Sequence, residues 1–241
     1  NIRTFGDMLD ASWASEMGED LKWLAKLLGE VRDLDVLQHR FRNKAEGIEG
    51  LKPLFDSLTR QHRRARTRLL EGLRSDRYRL LIENLVQAGR SLPVTEGAHD
   101  QGRRTMEPIV AQIWSELASE FPSVTAGATD EQRHQTRIQT KRLRYAVEVV
   151  GPCFDDEAKA VRRFARLLAD LQDVLGENQD AAVAQATLTA TATRGTKDPS
   201  FCIAVGRLIE RESQGSQRTR AMFSEVWGKL DRKKNLTWLQ R

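Results

Sequence analysis

The sequence predicts an all-α chain, on three observations. Apolar residues recur at spacings of three and four through most of its length, the period of a helix with one buried face. There are only 6 prolines in 241 residues, too few to punctuate a strand-rich fold. Stretches of alternating β-branched residues, the signature of half-buried strands, are scarce. The length suffices for one large helical domain or two bundles with an ample core. With 39% hydrophobic and 30% charged residues, the surfaces are expected to be well solvated. No run approaches the roughly 18 apolar residues of a membrane span. The net charge of +5 is modest, so an anion site has to come from clustering and not from bulk charge. Two cysteines, Cys153 and Cys202, point to a reducing compartment and read as buried structural thiols. The chain opens on Asn1 and shows no signal peptide.

In chain order, residues from Asn1 to about Ala14 read as the end of a helix. A long helix is predicted from Gly18 to Lys44, with Leu21, Leu24, Leu28, Val31, Asp35 and Gln38 along one side. Arg32 and Asp33 in its middle are expected to find partners on another helix, because a buried charge requires pairing. Pro53 suits the first turn of the next helix, which runs to Arg74 and buries Leu54, Leu58, Ala65, Leu69 and Leu73. Its other side carries Arg60, Arg63, Arg64, Arg66 and Arg68 around His62, with no acid between Asp56 and Glu71. Ser75-Asp76 caps a helix from Arg77 to Gly89. The stretch from Ser91 to Gly102 has the composition of a linker. A connecting helix follows from about Arg103 to Glu120, with Ile109, Ile113, Trp114 and Leu117 as its core face.

The next helix organises the chain. His134 to Gly151 reads HQTRIQTKRLRYAVEVVG. At about 100° per residue, His134, Arg137, Lys141, Arg144 and Tyr145 fall on one side of it. The apolar arc from Ile138 and Val149 through Ala146 to Val150 and Leu143 falls on the other. Asp130 is expected to cap its start and Gly151-Pro152 to stop it. Only Glu148 lies among the cations, so neighbours four residues away do not neutralise them. Arg142 falls inside the apolar arc. An unpaired guanidinium there is costly, so it is expected to meet Asp33, Asp180 or a nearby glutamate. The following helix starts near Asp156 and repeats the basic bias with Lys159, Arg162, Arg163 and Arg166, continuing toward Thr193. Two last helices are predicted from Pro199 to Ser213 and from Gln217 to Lys229. In the basic tail, Leu236, Trp238 and Leu239 prefer a packing surface.

Two segments repeat. LGEVRDLDVL, from Leu28 to Leu37, has its counterpart in LGENQDAAV, from Leu175 to Val183, at an offset of 147 residues. A repeat of this size suggests a duplicated bundle and a pseudo-twofold arrangement. The combination of HxxRIxxKRLRYAxE with the two LGE segments resembles the CHAD family, the conserved histidine α-helical domain, over nearly the whole chain. The resemblance implies two antiparallel four-helix bundles binding inorganic polyphosphate in a basic channel between them. It divides the chain into a first bundle over 1–90, a linker and connecting helix over 91–129, and a second bundle over 130–241. On this likeness the first residues are the tail of the first-half basic motif. Most of that first basic helix is missing from this chain, and a fused domain upstream is a possible neighbour. With the ligand supplied by the resemblance and the residues by the alignment of cations, the expected polyphosphate-binding set is His134, Arg137, Lys141, Arg142, Arg144, Arg162, Arg163 and Arg166, with Arg3, Arg63 and Arg64 from the first half.

Catalytic chemistry is not legible. His39, His62, His99 and His134 show no metal-ligand spacing with carboxylates. There is neither a GxxxxGK phosphate loop nor a nucleophile elbow. An enzyme, a metal and a cofactor are therefore not expected, and the partner is inorganic polyphosphate with no membrane. Nucleic acid is the competing ligand, since Lys and Arg meet its phosphates equally well. Single-strand binding usually adds aromatic platforms, and the cationic face offers only Tyr145. A scaffold docking an acidic partner is the third reading. The expected location is the cytoplasm or polyphosphate granules.

Overall fold

The computed structural model describes residues 2, 4–99, 102–121, 128–154, 156–194 and 198–239. It bears out the all-α class: the described residues form helices α1 (Ala11–Lys44), α2 (Lys52–Leu73), α3 (Asp76–Arg90), α4 (Gly102–Glu120), α5 (Asp130–Val150), α6 (Ala158–Arg194), α7 (Pro199–Leu230) and α8 (Lys233–Leu236). No helix among the described residues is long and apolar enough to cross a membrane. Two compact units divide the chain: one holds 1–8, 94–182 and 215–241, the other 9–93 and 183–214.

The second unit is built on α1, which is one helix from Ala11 and not two. Asp10 makes the start, its carboxylate accepting a hydrogen bond from Trp13 N at 2.9 Å; a capping acceptor there satisfies a donor that the helix leaves unpaired. Gly18 does not break the helix. Leu37 and Phe41 of α1 pack with Leu54 and Leu58 of α2 and with Phe201, Val205 and Leu208 of α7. Leu69 and Leu73, expected in the core, are only partly buried. Leu28 is 47% exposed, and Arg32 and Asp33 are exposed too. The expectation of buried charge in this segment is overturned; solvated groups need no partner. α3 begins as predicted, with Ser75 Oγ accepting from Tyr78 N.

Unit two also contains a buried carboxylate. Glu212 of α7 is fully buried and its Oε2 takes Arg40 at 2.7 Å and Lys44 at 2.8 Å, both from α1. Arg211 NH1 donates to the carbonyls of Lys44 and Glu46. These contacts fasten α7 to the end of α1. The turn beyond α1 uses Gly47 and Gly50 at φ of 69° and 87°, values that side-chain-bearing residues rarely adopt.

The first unit gathers Val110, Ile113 and Leu117 of α4, Leu143, Val147 and Val150 of α5, Phe164, Leu168 and Leu171 of α6, and Phe223 and Leu230 of α7. Aromatic rings close the core: Phe121 stacks on Trp227 at 3.6 Å, and Trp238 meets Phe154 and Phe164 edge-on at 5.1 and 5.7 Å. The tail residues Leu236, Trp238 and Leu239 are buried, as their composition predicted. α7 is a single helix where two were expected. Ser216 at the expected break is buried and donates to Asn178 Oδ1 at 3.1 Å, so packing carries the helix through Gly215. Cys153 and Cys202 are exposed, which corrects their reading as buried thiols. Arg3 lies outside the described residues.

Candidate functional site

The site is built on α5. Thr129, not Asp130, caps it: Thr129 Oγ1 accepts from Gln132 N at 3.2 Å, and Gln132 Oε1 accepts from Thr129 N at 2.8 Å. This reciprocal pair is a capping box. Asp130 and Glu131 then occupy the first turn, where the helix dipole favours acids.

The buried face of α5 is rotated from the one its composition suggested. Arg133, Thr136, Thr140, Leu143, Ala146, Val147 and Val150 are buried, whereas Ile138 and Val149 are 46% and 41% exposed. Two threonines can lie inside because each hydroxyl donates one turn back, Thr136 to the Gln132 carbonyl at 3.0 Å and Thr140 to the Thr136 carbonyl at 2.8 Å. A hydroxyl satisfied within its own helix hides its polarity. The rotation brings Arg142 to the surface. It does find a glutamate, Glu116 of α4, but at 3.7 Å with both side chains nearly half exposed; neither Asp33 nor Asp180 is that partner. A pair this exposed contributes about 0–1 kcal/mol.

The same rotation sets His134, Arg137, Lys141 and Arg144 at the margin of the buried face. All four are partly buried. His134 Nδ1, Arg137 Nε and Arg144 Nε are shielded from solvent and have no hydrogen-bond partner among the described residues. Arg144 places its guanidinium 4.7 Å above the Tyr145 ring and its NH1 3.3 Å from Glu148. Among the described residues the row therefore has one ion-paired acid, Glu148, against four basic side chains, and those side chains are partly buried.

α6 runs beside it. A Cβ built on Gly176 would stand 3.9 Å from Arg137 Nε, and one on Gly151 would stand 3.6 Å from Val161. These contacts pair the two helices antiparallel, with the glycine of the second LGE segment under the basic motif. Farther along, Val147, Glu148 and Gly151 line a cleft with Val161, Arg162 and Ala165. Of the three α6 arginines expected opposite, Arg162 and Arg166 are exposed, Arg162 in this cleft. Arg163 is engaged elsewhere: its Nε donates to Asn235 Oδ1 at 2.8 Å, and Asn235 in turn donates to the Lys229 carbonyl. It anchors the tail.

In the other unit, Arg63 and Arg64 are exposed on α2. The acids that α2 lacks are supplied by α1. Asp35 lies 3.0 Å from His62 Nε2 and Glu30, of the first LGE segment, 2.6 Å from Arg68 NH2. The Arg68 hydrogen bond, foremost, holds the Glu30 carboxyl below its ordinary range; desolvation opposes it, and the charges of Arg68 and Lys26 assist. These pairings join residues 27 and 38 positions apart, so no local spacing in α2 announces them. No cluster of three metal-ligating side chains occurs among the described residues.

The CHAD domain family model matches residues 1–189. Two uncharacterized proteins of Mycobacterium tuberculosis, from strains CDC 1551 / Oshkosh and ATCC 25618 / H37Rv, are each 26% identical over 247 aligned positions, which cover 95% of this chain and 44% of theirs. The chain thus spans less than half the length of these curated relatives. Among solved structures, PptA from Streptomyces chartreusis superposes with a TM-score of 0.77 at 20% identity, over 94% of this chain and 84% of that one. At that identity the likeness is one of fold.

Proposed function

Because this chain belongs to the CHAD domain family, we propose that it binds inorganic polyphosphate, and that α5 carries the contact. The observation that supports this is the row His134, Arg137, Lys141 and Arg144, partly buried, with Glu148 as the one acid ion-paired to it among the described residues. Arg162 and Arg166 extend the cationic surface from α6, and Arg142 flanks it. Arg163 is better read as structural, since Asn235 holds it.

The energetics favour a linear polyanion. One exposed ion pair is worth about 0–1 kcal/mol, too little to retain a small anion. A polymer with a charge on every repeat meets several cations at once, and each contact after the first is intramolecular. Packing along the stems of Arg137 and Arg144 lowers the entropy lost when their guanidiniums are ordered by ligand. The polymer needs no aromatic platform, and the one ring beside the row, Tyr145, is already covered by Arg144. On this reading the protein acts in the cytoplasm or at polyphosphate granules.

Titration with long-chain polyphosphate in the presence of excess single-stranded DNA tests the proposal. Retention of binding supports it; displacement by that DNA assigns the row to nucleic acid instead.

A further inference from the structure

α1 and α6 begin 147 residues apart, at Ala11 and Ala158, and α2 and α7 begin at the same interval, at Lys52 and Pro199. The two LGE segments share that spacing, so positions 147 apart on α1 and α6 are counterparts. They are covered very differently. On α6, Leu168, Leu171 and Leu175 are buried in a core to which α5 contributes Leu143, Val147 and Val150. Their counterparts on α1 are Leu21 and Leu24, both only partly buried, and Leu28, which is 47% exposed against 1% for Leu175. The glycines repeat the contrast. A Cβ on Gly176 would meet Arg137 of α5, whereas one on its counterpart Gly29, or on Gly18, would meet nothing within 4 Å. Along this open side, Ala11, Gly18 and Ala25 recur every seven residues, with Ala14, Leu21 and Leu28 between them. Such a seam is the packing face of a helix against a neighbouring helix. α3, which packs on α1, leaves Ile82, Leu85 and Val86 exposed as well.

We propose that this seam of α1 is the docking surface for one basic amphipathic helix, lying antiparallel to α1 as α5 lies on α6. Small residues at every seventh position let a partner backbone approach closely, and Leu21 and Leu28 then fill the gaps between its side chains. Charge selects a basic partner. Where α6 carries Arg162, Arg163 and Arg166 near its start, α1 has Ser15, Glu16 and Glu19. Glu16 and Glu19 are exposed, and neither is ion-paired to another described residue. The start of α1 is thus acidic where that of α6 is cationic, which suits a helix with a row of cations along its flank. No polyanion is involved, and every residue of the surface belongs to one compact unit.

The probe is a synthetic peptide of the α5 sequence, from Thr129 to Gly151, added to the intact protein beside a scrambled peptide of the same composition. The expected result is saturable one-to-one binding of the α5 peptide, which gains helicity, and none of the scrambled one. Leu28→Lys should weaken binding at least about tenfold, because docking would bury an ammonium group among the cations of the probe. Gly29→Leu should weaken it as much by filling the space the probe needs. In the free protein a side chain there meets nothing, so this variant keeps its fold, which circular dichroism verifies. Glu16→Lys/Glu19→Lys should weaken binding severalfold, more at low salt than at high. Absence of binding overturns the proposal, as does equal binding of the two peptides. Binding undiminished in both Leu28→Lys and Gly29→Leu overturns it too. So does a wild-type dimer in sedimentation that Leu28→Lys dissociates, which gives the seam to a second copy of the chain.

Discussion

Arg137 and Gly176 meet across α5 and α6, with Arg137 Nε 3.9 Å from where a Cβ on the glycine would stand. The contact joins the basic motif to the second LGE segment. The Arg137 side chain lies against α6 at this glycine, where an added Cβ would meet it alone. At 3.9 Å an alanine is in ordinary van der Waals contact, so Gly176→Ala should stabilise the protein by about 0.5–1 kcal/mol through helix propensity and leave polyphosphate affinity intact. Gly176→Leu should displace Arg137 and weaken binding. Thermal unfolding and titration of both variants check this, and destabilisation by alanine would contradict it.

The buried carboxylate of Glu212 holds Arg40 and Lys44. Its removal leaves two cations facing an emptied, desolvated space, so Glu212→Ala should cost about 3–5 kcal/mol. Urea unfolding measures it. A loss under about 1 kcal/mol would show that the cations escape to solvent without penalty.

Glu30 supplies a pH test. Its carboxyl titrates below the ordinary range because Arg68 donates to it. A carboxyl depressed in the folded state stabilises the fold above its unfolded pKa, and the contribution disappears as pH falls through the folded value. Titration of the Glu30 side chain by NMR should give a midpoint below 4.5, and Arg68→Ala should move it upward. An unmoved midpoint in that variant would remove the pairing from the account.

The family match ends at residue 189, but the cores do not. Phe201, Val205 and Leu208 complete one unit, and Phe223, Leu230 and Trp238 the other. Trp238→Ala should therefore cost about 3–5 kcal/mol, the usual loss for a buried large aromatic, although it lies far beyond the match. Differential scanning calorimetry settles this; a near-neutral variant would make the tail an appendage.

How much of this was legible in the sequence follows from the range of the interactions. The helices, the Ser75 cap and the buried tail follow from local pattern, because period, caps and apolar clusters are properties of neighbouring residues. The sequence pattern divides α1 between Ala14 and Gly18 and α7 between Ser213 and Gln217, whereas each is a single helix. Their continuity depends on Asp10 capping at one end and on Ser216 bonding to Asn178, and the second of these is a contact across 38 residues. The α5 face was misread by its hydrophobic residues: Thr136 and Thr140 bury themselves by bonding within the helix, while Ile138 and Val149 are left outside. The cationic row survived that rotation because it lies on the margin of either assignment. Arg163 is structural only because of Asn235, 72 residues away, and no pattern near Arg163 indicates it.

The central claim is that Arg137, Lys141 and Arg144 carry polyphosphate. The decisive measurement is the affinity of Arg137→Ala/Lys141→Ala/Arg144→Ala for long-chain polyphosphate across a salt series, beside wild type. Wild-type log affinity should fall linearly with log salt as bound cations release counterions. The triple variant should retain its helicity, bind far more weakly, and show a slope reduced by about three, roughly one for each cation removed. Affinity and slope equal to wild type would contradict the account and place the ligand off α5.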